Sequence, residues 1–547
     1  MKKIISILAS ASAAILTLAS CTDFLDQPRR AVENLDTYFQ NQEQCEKFLI
    51  GCYGAIFYDD WWYIGKLYQT LDMCTDDAWM GNTSQDATSH QYLAYFQPAA
   101  PQSEDINDFY RFRYKGITRC NIAIDRITEA PIDETLKVRM VAEAKFLRAF
   151  FYFELIKNYG GVVKVTGFLT PSETEGAVRS SIEESYALVE QDLNEAIPAL
   201  PLRSELAASE VGRATRGAAQ GLLGKVYLYQ AKWNEARQVL GQLIETNEYD
   251  LMPDFGQVWD CDYNNNQESL FEAQTMYDET YNYGAGFMCI ISGIREDPAR
   301  RPSDGITFDG WGWCVPTSNL EKAFLDEGDN IRLGYTIIKH GDTSVAGMSD
   351  DVLRAYLPDG KMVINPDGNK SARAWRKFFI PYDKRPATWD KCKIPQNYRL
   401  LRYADVLLMY AEACVESNVD LDKGQSAFDR VRARVGLASK PLTRANVRLE
   451  RRLELAGEQQ RLYDIRRWES EVKPGHKVMA ELFGPDGSFV RYNMQESTDE
   501  FETTNLREPQ NKGITFDESR DLLFPIPPME VALSNGSVVQ NPGYSQM

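Results

Sequence analysis

Apolar residues recur every three or four positions through long stretches of this 547-residue chain, and that period commits it to amphipathic helices packed on one another. Between Asp36 and Phe57 the series is Phe39, Cys45, Phe48, Leu49, Cys52 and Ile56. It resumes from Asn107 to Tyr159 in two runs punctuated by Pro131, the second carrying Val138, Val141, Ala142, Phe146, Ala149, Phe150 and Phe153 up to a Gly160-Gly161 stop. Ser180 to Ile197 is a further helix, closed by Pro198 and Pro201. In Ala214 to Asn247, Leu223, Gly224, Tyr227 and Ala236 fall at the offsets of a tetratricopeptide helix-turn-helix, with Gln220 where that repeat usually has tryptophan. Gly224 and Ala236 are small enough for paired helices to approach closely, so the flanking hairpins are expected to stack on this unit as a short solenoid.

The period also predicts helices at Tyr398 to Ser417, Gln425 to Val435 and Arg444 to Glu469. In the last, Glu450, Glu454 and Glu458 precede Arg461, Arg466 and Arg467, an order that suits the helix macrodipole. Two regions break the pattern. Asp72 to Pro101 is rich in Asp, Asn, Ser, Thr and Gly, has no period, and still carries Trp79, Tyr92, Tyr95 and Phe96, so it reads as a loop with aromatic cargo. Leu251 to about Gln396 is a series of short apolar pieces with Tyr277, Tyr281, Tyr283, Trp311, Trp313, Trp375 and Trp389 interspersed, irregular structure with minor strands. Leu522 to Tyr544, with four prolines, is expected to form an extended strap. The fold class is therefore mainly α: tetratricopeptide-like helical repeats packed with an irregular, loop-rich half.

The amino terminus carries an address. Lys2 and Lys3 precede an apolar run from Ile4 to Leu18 and the small-residue site Leu18-Ala19-Ser20-Cys21. The run is shorter than the ~20 residues needed to span a bilayer and reads as a removable lipoprotein signal peptide, residues 1–20, with Cys21 acylated as the first mature residue. Each buried methylene contributes ~0.8 kcal/mol, so several acyl chains anchor far more firmly than one. Residues 21–250 then form a helical region and 251–547 the region with the irregular segment and the closing helices.

Removing the signal takes away two lysines and no acid, so the formal charge moves from −19 to −21, which argues against nucleic acid and polyanionic ligands. Ten cysteines include no Cys-x-x-Cys, and His90, His340 and His476 stand far apart, so no metal or other cofactor is expected and most thiols should be buried. Catalysis has little support either. Gly-x-Ser-x-Gly, His-Glu-x-x-His and the phosphate-loop pattern are absent, and Asp76-Asp77 and Asp350-Asp351 read as solvated loop or turn acids.

Several blocks resemble the starch-utilisation-system D-like (SusD/RagB) lipoproteins of the Gram-negative outer membrane. They are Cys21-Thr22-Asp23-Phe24-Leu25-Asp26; Glu143 to Ala149 followed by Tyr159-Gly160-Gly161; Arg399 to Ala413; Glu450 to Ala456 with Arg461, Asp464 and Arg466-Arg467-Trp468; and Leu523 to Pro528 with Gln540 to Tyr544. Val163 stands where that family commonly has proline and Gln459 where glycine is frequent. The resemblance implies an α-α superhelix of four tetratricopeptide-like units, motifs that are mainly scaffold, and no catalysis. It also implies a surface-exposed, lipid-anchored protein that captures glycan and hands it to a SusC-like TonB-dependent transporter, or, as in some relatives, captures peptide.

A neutral glycan offers C–H faces and hydroxyl rims, so a capture site needs aromatic planes flanked by polar side chains. Two segments supply them: Trp79, Asn82 and Tyr92 in the first loop, and Tyr281, Tyr283, Trp311 and Trp313 in the middle region. For each ring, core packing is the competing account.

Overall fold

The computed structural model describes residues 35–57, 66–80, 88–167, 169, 176–275, 286–357, 359–365, 371–385, 395–489, 491–493, 502–504 and 514–545. The signal segment, Cys21, the aromatic run 58–63, Asn82, Tyr277, Tyr281, Tyr283, Trp389 and Cys392 lie outside them.

Local signals set where the helices begin and end. Helix α1 (Gln42–Gly54) starts at Asn41, whose side chain accepts from the Gln44 amide, so the single helix expected from Asp36 is interrupted after a short turn at Leu35–Tyr38. Helix α2 (Glu104–Glu129) ends just before Pro131, and α3 (Glu134–Tyr159) runs from the Asp133 cap to Gly160 at φ 78°. Ser181 and Glu184 form a reciprocal capping box for α4 (Ile182–Ala196). Helices α5 (Arg216–Tyr229) and α6 (Trp233–Glu245) are the tetratricopeptide-like pair. A side chain at Gly224 would bring a carbon to 2.3 Å from Leu240 of α6, so glycine there permits the close approach of the two helices. The closing helices are α7 (Tyr403–Ser417), α8 (Leu421–Arg434), α9 (Arg444–Glu454) and α10 (Arg461–Arg467). From α2 to α8 each helix packs on the next, and α9 lies on α7, so the helical hairpins form one continuous stack around a shared apolar core.

The strands are short: β1 (Ala78–Trp79), β2 (Ser269–Ala273), β3 (Val315–Pro316), β4 (Ile337–Lys339), β5 (Arg373–Trp375) and β6 (Tyr398–Arg402), with a further antiparallel pair, Arg491–Asn493 and Glu502–Thr504. They pair antiparallel as β1–β3, β2–β6 and β4–β5. The irregular half also contains short helices at Ser318–Glu327, Asn330–Thr336 and Asp350–Tyr356, and part of it has its own small core of Ile294, Phe308, Ile338, Leu353, Ile364 and Phe379. Among the described residues, no helix is long and apolar enough to cross a membrane.

Three more expectations from the sequence are corrected here. Tyr398 to Ser417 is a strand followed by a helix, because the backbone of 398–402 completes a ladder with β2 before α7 begins. Asp72 to Pro101 contains a helix, Thr88–Ala94, too short to display a period. Arg444 to Glu469 is two helices, since Gly457 and Gln459 at φ 77° and 55° turn the chain between α9 and α10. The acids there do not line an exposed helix face; Glu450, Glu454 and Glu458 are all buried.

Their partners explain the break. Arg402, itself buried, meets Glu268 and Glu454 at 2.6 Å and Glu458 at 2.7 Å. Lys377 and the Trp259 indole also reach Glu458, while Arg332 joins Glu450 and Glu454. A second cluster joins Arg451 to Asp405 and Asp464, Lys225 to Asp405, and Arg467 to Glu412. Most of these residues belong to the motif blocks noted above, which therefore serve as buried ionic joints between the stack and the irregular half. Gln459 takes the left-handed conformation that glycine adopts freely, and its amide and side-chain nitrogens donate to Asp72 at 3.3 and 3.0 Å.

The carboxyl-terminal strap includes one short helix, Pro528–Leu533, and is otherwise non-helical past Leu522. It clasps the end of α3: the Phe524 amide donates to the Asn158 carbonyl, Asn541 to the Tyr159 carbonyl, and Arg179 to the Asn541 side chain and the Val539 carbonyl. Cys45, Cys52, Cys74, Cys120, Cys289, Cys314 and Cys414 are buried. Burial pushes the Cys74 thiol up to about 12.

Candidate functional site

The two aromatic-bearing segments, more than two hundred residues apart, are joined by backbone pairing. In the β1–β3 ladder Trp79 stands opposite Val315 and Ala78 opposite Pro316. Cys314 donates to the Met80 carbonyl at 3.2 Å and Thr317 to the Asp77 carbonyl at 2.9 Å. Trp79 is thereby held beside the 311–313 segment. There the Trp311 and Trp313 rings lie 4.8 Å apart with planes tilted by 55°, and Trp79, Trp311 and Trp313 are each half-buried. Tyr92, also half-buried, sits on the helix Thr88–Ala94. From the same helix the His90 ring meets Trp313 edge to face, centroids 5.0 Å apart at 77°.

The floor of this region is backbone against backbone. Trp311, Gly312 and Trp313 donate to the carbonyls of Ile290, Gly293 and Ile291 at 2.7, 2.9 and 2.8 Å. Gly310 lies against Gly293 so closely that a side-chain carbon at Gly310 would fall 2.4 Å from the Gly293 carbonyl carbon. Only glycine permits the 310–313 chain to lie this low.

Asp76 and Asp77 are not the solvated acids expected; both are buried. Arg461 binds Asp76 bidentately at 2.8 and 2.9 Å, and Arg452 reaches Asp77 at 2.6 Å and Asp76 at 3.1 Å. Their partners lie 375 and 385 residues along the chain, which is why no local pattern announces them. These pairs bolt the segment leading into β1 onto α9 and α10. Burial opposes ionisation of Asp76, but Arg452 and Arg461 outweigh it and hold the carboxyl well below its usual range, whereas burial, with Asp76 beside it, raises Asp77. Burial, reinforced by Asp77, raises Asp72 to about 7. Asp350 and Asp351 are exposed at the start of their helix, as expected for turn acids.

Among the described residues, Asp260, Cys261 and Asp262 have a spacing that could hold a cation, but the Lys384 ammonium already pairs with both acids, 2.9 Å from Asp260 and 2.6 Å from Asp262. The site thus offers flat rings on an ionically fixed base. His90, Arg452 and Arg461 are contributors the sequence did not single out for it; His90 attracted notice only as an isolated histidine.

The chain is similar to known proteins over most of its length. The SusD family profile matches residues 262–544, and a profile described as "Starch-binding associating with outer membrane" matches residues 23–228. The "SusD-like protein P2" of Formosa agariphila is 25% identical over 551 residues, covering 97% of this chain and 98% of that protein. A solved "Laminarin binding SusD-like protein" is 26% identical, with a TM-score of 0.73 over 92% of this chain and all of that one. The surface glycan-binding protein A of Bacteroides thetaiotaomicron, solved in complex with laminarihexaose, shares the fold at 20% identity, a TM-score of 0.71, and coverage of 92% of this chain and 100% of that one. This chain belongs to the SusD family.

Proposed function

We propose that this protein is a non-catalytic, surface-exposed glycan-binding lipoprotein, held to the outer membrane by acyl chains on Cys21, that captures oligo- or polysaccharide and delivers it to a TonB-dependent transporter. The observation that carries the reading is the antiparallel β1–β3 pairing, which sets Trp79 beside Trp311 and Trp313 on a base tied to the helical stack. Flat rings at fixed positions suit the C–H faces of sugars, and half-burial leaves part of each ring available. We assign Trp79, Trp311, Trp313 and Tyr92 to the ligand face, with Asn82, Tyr281 and Tyr283 as further contributors from the adjoining sequence. Asp76 and Asp77, which lead into β1, are engaged by arginines, which favours binding over acid–base chemistry. A glucan of the laminarin type is the first ligand to try, since two similar proteins are described with laminarin or laminarihexaose.

Three rings contributing ~1.5 kcal/mol each give a dissociation constant on the order of 0.5 mM, which hydrogen bonds would tighten towards micromolar. Such affinity suits a ligand that is handed on. The test is affinity electrophoresis of the mature chain through gels carrying laminarin, starch, xylan or mannan, with a tryptic peptide mixture as a solution competitor. Retardation by one polysaccharide that is lost in Trp79→Ala and Trp313→Ala is expected. Migration unaffected by every polysaccharide, or retardation relieved by peptides alone, would overturn the glycan reading.

A further inference from the structure

His90 is almost fully buried, its Nε2 lies 2.8 Å from Oδ2 of Asp105, and its Nδ1 has no hydrogen-bond partner among the described residues. Asp105 is buried in the first turn of α2, one of the two longest helices of the stack, so it is a fixed point for the ring that binds it. His90 and Trp313 also meet edge to face, and Trp313 in turn packs at a tilt on Trp311. A positive ring edge against a negative ring face is the favoured geometry for such a pair, and it weakens when the edge rotates away. The contacts thus run in series from the rigid stack to the two tryptophans: Asp105, His90, Trp313, Trp311. The backbone bonds of 311–313 to residues 290, 291 and 293 set where this chain lies, but they leave the indole torsions open.

We propose that His90 is a positioning residue for the ligand face: held by Asp105, its imidazole fixes the orientation of Trp313 and, through it, the tilt between Trp313 and Trp311. The role rests on the assignment of these tryptophans to the ligand face. It gives the buried His90–Asp105 pair a task that a surface loop could not perform, because a loop would reorder its rings each time it bound and weaken binding by that entropy.

Two close, non-parallel indoles couple as an exciton and give a two-signed far-ultraviolet circular dichroism band, which can be isolated as the difference between wild type and Trp311→Phe. That band reports the inter-ring angle without any ligand. In His90→Ala and in Asp105→Ala it is expected to fall by more than half, and laminarihexaose binding by calorimetry to weaken about tenfold. Asp105→Asn, which still offers an oxygen to Nε2, is expected to keep both. Helical ellipticity at 222 nm identifies any variant that has not folded; should His90→Ala be one, the Asp105 pair decides. A couplet unchanged in the alanine variants overturns the proposal, as does an equal loss in Asp105→Asn and Asp105→Ala. If wild type ignores laminarihexaose, the glucan reading fails while the couplet still decides the role of His90.

Discussion

Arg402 and Glu454, fifty-two residues apart in sequence, meet at 2.6 Å where neither is reached by solvent. Arg402 ends β6 and Glu454 ends α9, so the pair joins a strand of the irregular half to the closing helices. Around it Glu268, Glu458, Arg434, Arg332 and Lys377 complete an alternation of charge in which each carboxylate touches at least one cation. The arginines drive the Glu454 carboxyl well below its usual range even though burial pulls the other way. Such a network adds little net stability over a well-packed apolar core, but removing one member leaves the others charged and dry.

Arg402→Leu is therefore expected to cost about 3–5 kcal/mol, the penalty for stranding buried carboxylates. By contrast Arg444→Leu, which breaks a partly exposed pair with Glu416, should cost under about 1 kcal/mol. Urea unfolding followed by circular dichroism, comparing the midpoints of the two variants, checks the ranking. Equal midpoints would remove the network from the account of stability.

Asp72 makes stability depend on pH in an unusual direction. Its unfolded-state value is 3.8, and burial, then Asp77, raises it to about 7 in the fold. Between these values the folded chain holds a proton that the unfolded chain has released, so this group's contribution falls as pH rises from about 4 to about 7 and stays low above that. Asp72→Asn is expected to flatten the decline, gaining stability relative to wild type at pH 8 compared with pH 5. Thermal melts of both proteins at the two pH values give the measurement; a difference of the opposite sign rules this assignment out. Asp405, Glu454 and Glu458, held low by their cations, act the other way, with stability present above about pH 4 and lost as acid protonates them.

Gly310→Ala probes the floor beneath the tryptophans. Its added carbon would overlap the Gly293 backbone, which cannot yield as a side chain tip would, so the 310–313 segment must lift. Binding of the retarding polysaccharide should weaken at least tenfold while the unfolding midpoint moves by less than that of Arg402→Leu. Undiminished retardation in the affinity gel would show that the height of this segment does not matter.

The helices were legible where their own residues carry the instruction. Pro131, Gly160 and Pro198 mark ends that the structure keeps, and the α5–α6 pair follows from Leu223, Gly224, Tyr227 and Ala236. Failures cluster where the deciding partner is distant. Glu458 looks like one more acid on a helix face until Arg402 and Lys377 are seen to claim it, and Asp76-Asp77 looks like a solvated turn until Arg452 and Arg461 arrive from the far end of the chain. Trp79, Trp311 and Trp313 could be chosen as aromatic residues in irregular segments. That β1 and β3 would pair depends on two-residue strands too brief to have a period.

The strap has a consequence for how the molecule is made. Its contacts place Phe524, Val539 and Asn541 on Asn158, Tyr159 and Arg179, so the end of α3 and Arg179 gain hydrogen-bond partners synthesised 360 to 382 positions later. A chain emerging from its amino end can assemble hairpins as they appear, yet that junction stays unsealed until the strap has followed. Closure of that junction is thereby tied to synthesis of the strap, and a chain stopped short of Phe524 is left with a raw seam at the end of α3.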